Sequence, residues 1–255
     1  MLKYKNYVVC ERLEEAYKLN QNKNNSIVAG NAFLKMKNSM RNTLIDLSNL
    51  GLSYIVDDES EFRIGAMTSL RDLQLNQAIN EFTNYAMDDA LKCIVGVQFR
   101  NCATVGGSIW GRFGFSDVLT IFLVLDSYVR LYKGGVVSLK DFVDMKYDRD
   151  ILIEIIVKKN KAKVAYEYFR NQATDFPVLT CAMSLCDNNL NIAVGARPMK
   201  AMLVSTKYDD QNISKSLDKF VFSSNMRASK NYRYELCKVL ISRCLKKIKG
   251  ENYEN

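Results

Sequence analysis

Gln98-Phe99-Arg100-Asn101-Cys102-Ala103-Thr104-Val105-Gly106-Gly107-Ser108, followed by Ser116-Asp117, is the stretch whose reading decides the fold. An apolar run at 93–97 enters it and a longer one at 118–125 leaves it, which puts the paired glycines at a junction between packed elements. Glycine at such a junction lets backbone N–H groups converge on an anion, because no side chain blocks the approach and a positive φ costs little. A tight turn without a ligand is the competing reading, and the rest of the chain has to separate the two.

The chain has 255 residues, 48% of them hydrophobic and 25% charged, with 2 prolines, the balance of a globular protein with a substantial core. No apolar run approaches the roughly 18 to 20 residues that span a bilayer, and residues 1–12 lack the apolar centre of a secretion signal. A cytoplasmic protein that does not enter the membrane is the expectation. The cysteines Cys10, Cys93, Cys102, Cys181, Cys186, Cys237 and Cys244 include no C-x-x-C pair, which argues against zinc or iron–sulfur ligation and for reduced thiols. Histidine is absent, which removes the commonest general base, the commonest metal ligand and any histidyl link to a flavin. Chemistry in this chain is therefore expected from a bound cofactor.

The formal charge of +8 suits a nucleic acid, an acidic partner or a phosphorylated ligand alike. Near the C-terminus, Lys238, Arg243, Lys246, Lys247 and Lys249 alternate with leucine and isoleucine at helical spacing, as on a solvated helix face. Basic residues are not interleaved with aromatics in the manner of single-strand binders, so nucleic acid is not an expected partner.

Residues 11–19 read as a helix and 26–29 as a short buried strand ending at Gly30, so a helix and then a strand are expected to open the fold. A second strand follows at 44–47, and 54–56 and 62–66 flank the acidic turn 57–59 as a hairpin. Ser69-Leu70-Arg71-Asp72 has the form of a capping box, opening a helix to about Ala78. Beyond the glycines come a buried helix at 117–126, a hairpin of 128–132 and 136–139 around Gly134-Gly135, and a β-branched strand at 151–157. The hydrophilic run 158–163 marks a domain change. Residues 177–185 and 190–194 then read as antiparallel strands joined at Asp187-Asn188-Asn189, and 227–249 as an amphipathic helix pair or one long helix. The class is α+β, with no internal repeat.

Two loops together offer a site for a dinucleotide: Ala29-Gly30-Asn31-Ala32-Phe33-Leu34 and Thr104-Val105-Gly106-Gly107-Ser108. Neither is a G-x-G-x-x-G fingerprint, but both expose backbone donors on small residues, and the Thr104 and Ser108 hydroxyls add neutral hydrogen bonds. Asp117 has two readings, as a cap on the helix it opens or as an acceptor for a ribose or ribityl hydroxyl.

These residues carry a resemblance, together with Lys35-Met36-Lys37, Ile45-Asp46-Leu47, Arg63-Ile64-Gly65-Ala66-Met67-Thr68, Asp175-Phe176-Pro177-Val178, Gly195-Ala196-Arg197-Pro198, Met226-Arg227-Ala228-Ser229 and Tyr232-Arg233. From about residue 25 to 249 the chain resembles the flavin-binding subunit of the molybdenum hydroxylases, the xanthine dehydrogenase and carbon monoxide dehydrogenase group. The resemblance implies an FAD-binding domain of the vanillyl-alcohol-oxidase type over residues 1–160, with α/β subdomains at about 1–52 and 53–160. A C-terminal domain with a small antiparallel sheet and helices would follow at 161–255. It also implies noncovalent FAD, with the pyrophosphate on the two loops, Asp117 near the ribose or ribityl chain and a backbone contact to the isoalloxazine from Leu152-Ile153. Partners would be a molybdopterin-binding large subunit and a two-iron two-sulfur small subunit, with NAD+ or another acceptor taking the electrons. A non-catalytic assembly subunit without flavin is the alternative. The chain departs from the family at the first loop, usually Ala-Gly-Gly-Thr-Asp-Leu, where it has Asn31, Ala32 and Phe33. It departs again at Tyr168 and Gln172, where many members carry lysine and arginine, with Arg170 nearby as a substitute. Trp110 and Phe113 read as core residues ahead of any role in walling the flavin.

Overall fold

β-branched runs and helices opened by hydroxyl, amide or carboxylate caps alternate along most of the chain, as the patterning predicts. The computed structural model describes residues 2–36 and 38–251, and Lys37 of the resemblance lies outside them. In chain order the elements are β1 (Lys3–Val9), α1 (Leu13–Asn20), β2 (Ser26–Val28), β3 (Met40–Asp46), β4 (Ile55–Asp57) and β5 (Glu61–Gly65). Next come α2 (Leu70–Leu75), α3 (Gln77–Phe82), α4 (Ala86–Leu91), α5 (Val97–Cys102), α6 (Val105–Gly111) and α7 (Asp117–Val124). Then follow β6 (Ser127–Leu131), β7 (Gly135–Ser138), α8 (Leu139–Asp144), β8 (Leu152–Lys158) and β9 (Lys163–Phe169). The chain closes with β10 (Leu179–Cys186), β11 (Asn189–Gly195), β12 (Met202–Lys207), α9 (Asp210–Leu217) and α10 (Lys230–Lys249).

These elements form two compact units that do not follow one cut in the sequence. The first comprises residues up to Leu73, Val97–Trp110 and Tyr128–Val157; the second comprises Gln74–Gly96, Gly111–Ser127 and everything from Lys158 onward. The last crossing falls at the hydrophilic boundary read from sequence, whereas two earlier segments join the second unit because α4 and α7 pack on its sheet.

In the first unit β3 lies between β1 and β2, parallel to both, and β4-β5-β8-β6-β7 form a second sheet. A strand, not a helix, therefore opens the fold. β1 escapes a burial-based reading because nearly all of its residues are exposed. The Tyr7 phenol donates to the Asp46 carboxylate across the ladder, and this bond to an anion pushes the phenol up to about 12. Ser69 caps α2 as expected, its Oγ accepting from Asp72 N at 2.9 Å. The helix stops at Leu75 because Asn76 starts another, its side chain accepting from Ile79 N at 3.0 Å.

The second unit is built on the antiparallel sheet β12-β11-β10-β9. The β10–β11 turn is the one read from sequence, with Asp187 and Asn188 at φ of 44° and 68°. The flanking strands β9 and β12 were not legible. α10 is one helix, and its buried Leu236, Cys237, Leu240, Ile241, Cys244 and Ile248 pack with the sheet residues Cys181, Met183, Ile192 and Val194.

Lys247 near the end of α10 bridges Asp89 of α4 at 3.0 Å and Glu167 of β9 at 2.9 Å. Burial raises the Asp89 carboxyl, but Lys92 and Lys247 outweigh it and hold it below the ordinary carboxylate range. A depressed carboxylate contributes stability above its unfolded value, and that contribution is lost as pH falls through the folded value. Lys247→Met is expected to cost about 1 kcal/mol at pH 7, the scale of a partly exposed ion pair. Thermal melts from pH 7 into the acid range below 3.8 should show the deficit closing as Asp89 is protonated. Among the described residues no helix is long and apolar enough to cross a membrane.

Candidate cofactor site

The first loop leaves the carboxyl end of β2 in a parallel sheet, the edge at which open α/β sheets bind cofactors. Gly30 presses on the end of α5, where an added Cβ would lie 1.6 Å from the Cys102 carbonyl oxygen. Phe33 packs edge-on against Phe99 of the same helix, with ring centroids 5.9 Å apart. The structure thus brings residues 29–34 onto the segment that leads into Thr104–Ser108. The backbone N–H groups of Gly30, Asn31 and Ala32 make no hydrogen bond to another described residue. Asn31 sits in the left-handed region at φ 52°, and its Oδ1 is buried without a hydrogen-bond partner. A buried acceptor left unpaired costs on the order of 1–3 kcal/mol.

The second loop is a correction to the sequence reading. Gly106 and Gly107 lie in the first turn of α6, and neither has positive φ. Gly106 is needed for close approach, since a Cβ there would lie 2.6 Å from the Cβ and the carbonyl oxygen of Ala66. The donors of this turn are engaged within the protein: Val105 N on Thr68 O at 2.9 Å, Gly106 N on Ala66 O at 2.9 Å and Gly107 N on Thr104 Oγ1 at 3.1 Å. The Ser108 hydroxyl likewise donates to Thr104 O at 2.9 Å. Arg63-Ile64-Gly65-Ala66-Met67-Thr68 is the platform that holds the paired glycines.

Leu152 is buried in β8, and the carbonyl of the next residue, Ile153, accepts from Ala66 N at 2.8 Å. Hydrogen bonds therefore run from β8 through Ala66 to Gly106. Trp110 packs on Phe142 at 5.7 Å, as a core residue would.

Asp117 belongs to the second unit. Ser116, not Asp117, caps α7, its Oγ accepting from Leu119 N at 3.0 Å. The Asp117 carboxylate accepts from the Tyr166 hydroxyl at 2.7 Å and from Arg170 at 2.6 Å, and both partners of the ion pair are buried. Arg170 also donates to Asp175 O, which leaves it no role as a free cation in place of the family's lysine and arginine. The Tyr168 hydroxyl pairs with the Cys93 sulfur at 2.9 Å. Neither Tyr166 nor this network was found by sequence reasoning, because the signal, a polar face on β9, lies in a strand that was missed.

Residues 2–160 match the family described as the FAD binding domain in molybdopterin dehydrogenase. The chain belongs to that family. The chain is 30% identical over 159 residues to the uncharacterized protein YgfM of Escherichia coli strain K12, a match covering 62% of this chain and 60% of YgfM. It is 26% identical to the glyceraldehyde dehydrogenase medium chain of Sulfolobus acidocaldarius, across 95% of this chain and 97% of that one. Its fold matches a chain of carbon monoxide dehydrogenase from Oligotropha carboxidovorans with a TM-score of 0.86 at 18% identity, covering 98% and 99% of the two chains.

The residues fit the family's cofactor at the first loop, where backbone N–H groups without a partner among the described residues lie beside a buried, unpaired acceptor and a close-packed glycine. At the second loop the fit is weaker, because the donors of Val105, Gly106 and Gly107 are engaged within the fold. Among the described residues no cluster of acidic or cysteine side chains forms a metal site.

Proposed function

We propose that the chain is the FAD-binding electron-transfer subunit of a molybdopterin-dependent hydroxylase or dehydrogenase of the xanthine dehydrogenase type, working in the cytoplasm. The observation that carries this reading is the first loop, pinned by Gly30 on Cys102 and offering the backbone donors of Gly30, Asn31 and Ala32 to an anion. Bound FAD would supply both one-electron and two-electron chemistry, linking a two-iron two-sulfur chain to NAD+ or another acceptor. The chain's own part is to bind and orient. Residues 29–34 would hold the pyrophosphate, Phe33 and Phe99 would fix the loop, and β8 would support the platform beneath α6. Molybdopterin and the iron–sulfur cluster would sit on partner chains, in keeping with the absence of any C-x-x-C pair or histidine here. The free cysteines favour a reducing compartment.

A second reading, an assembly subunit of the same complex without flavin, is favoured by the engagement of the Val105, Gly106 and Gly107 donors within the protein. The flavin content of the purified complex separates the two. Mixing the chain with its molybdopterin and iron–sulfur partners is expected to restore turnover from substrate to acceptor. Equal turnover by the partners alone, with the same acceptor, would overturn the electron-transfer role.

A further inference from the structure

Asn31 is the single side chain of Ala29-Gly30-Asn31-Ala32-Phe33-Leu34 able to form a hydrogen bond, and its Oδ1 is buried without a partner. Its backbone at φ 52° is a conformation that asparagine and glycine tolerate best. The neighbouring N–H groups point to an anion, and a pyrophosphate satisfies them because it offers acceptors. That same pyrophosphate cannot satisfy Oδ1, which is itself an acceptor and requires a donor. The donors that flank the pyrophosphate of a flavin dinucleotide are sugar hydroxyls, those of the ribose on one side and of the ribityl chain on the other.

We infer that the Asn31 carboxamide oxygen accepts a hydrogen bond from a sugar hydroxyl of the bound dinucleotide, making Asn31 a positioning residue for the cofactor. This rests on the proposal that the chain binds FAD. It gives a reason for the departure of the first loop. Phe33 takes over the anchoring of the loop through Phe99, and Asn31 supplies a polar contact that Ala32 and Phe33 cannot. Asn31 therefore acts where the chain differs from its family.

The test compares the full-length chain with Asn31→Gly, which keeps the freedom for positive φ and removes the side chain with its carboxamide. Each is titrated with FAD, FMN and ADP, and the thermal midpoint of each is measured without ligand. The expected result is FAD affinity about tenfold weaker in the variant, the scale of one lost hydrogen bond to a buried acceptor, with the ligand-free midpoint unchanged or higher. A parallel loss for ADP but not FMN assigns the donor to the ribose, and a loss for FMN but not ADP assigns it to the ribityl chain. FAD binding equal in wild type and variant overturns the inference and leaves the flavin proposal standing. A folded wild-type chain that binds no FAD removes both.

Discussion

Asp117→Ala lowers the thermal midpoint by about 10 °C, corresponding to a loss of about 3–5 kcal/mol. The cause is less the loss of an attraction than the state of what remains. Arg170 keeps a positive charge with its side chain 4% exposed, and the Tyr166 hydroxyl loses its acceptor inside the second unit. Burial of an unpaired charge is among the most costly single changes a fold can suffer. The double variant Asp117→Ala/Arg170→Met should recover much of the loss, because the orphaned guanidinium goes with its partner. Thermal melts of the three proteins check this, and a single variant within about 2 °C of wild type, close to what ~1 kcal/mol shifts in a chain of this size, would contradict a structural role for the pair.

Gly30→Ala is expected to weaken FAD binding about a hundredfold, or about 3 kcal/mol. The added methyl would lie 1.6 Å from the Cys102 carbonyl oxygen and 2.5 Å from its carbon, and both are backbone atoms that no rotamer change can move aside. The loop must lift from α5, carrying with it the N–H groups of Gly30, Asn31 and Ala32. Calorimetric titration with FAD measures the effect. Wild-type affinity in the variant would mean that the cofactor does not depend on this seating.

Much of the first unit is legible in the sequence because its signals are local. The capping box at Ser69, the hairpin around 57–59 and the buried run at 151–157 each need only a few neighbouring residues to be read, and the structure forms all three. The exposed strand β1 has no such signal. The paired glycines show a different limit: the sequence announces that the backbone must come close to something at Gly106, but only the fold reveals that Ala66 is what it meets. Helix and turn readings of Val105-Gly106 differ in where their donors go, and those acceptors lie on Thr68 and Ala66, far off in the chain.

The C-terminal motifs that carry the resemblance prove to be staples of the second unit. Arg233, fully buried, donates to the carbonyls of Val178, Ser223 and Ala228 and to Asn225 Oδ1. Arg197 ties Lys200 O and Val221 O, and Arg227 holds the Asp175 carboxylate through both oxygens. At Gly195 a Cβ would lie 2.1 Å from Thr120 Oγ1, so the glycine allows α7 to approach β11. Such residues hold the architecture of the second unit.

The most direct measurement is titration of the purified chain with FAD, followed by quenching of flavin fluorescence, in parallel with Gly107→Asp. A Cβ at Gly107 would meet only Thr104 Oγ1, at a tight 3.0 Å, so the substitution adds a negative charge in the first turn of α6 together with a small shift of that side chain, and the melting of each protein is measured beside its binding. The expected result is saturable binding by the wild type, weakened at least about tenfold in the variant by repulsion of the pyrophosphate, with both proteins melting alike. A folded wild-type chain that does not bind FAD would contradict the flavin cradle, and equal binding by the two proteins would leave the first loop as the cradle without the first turn of α6.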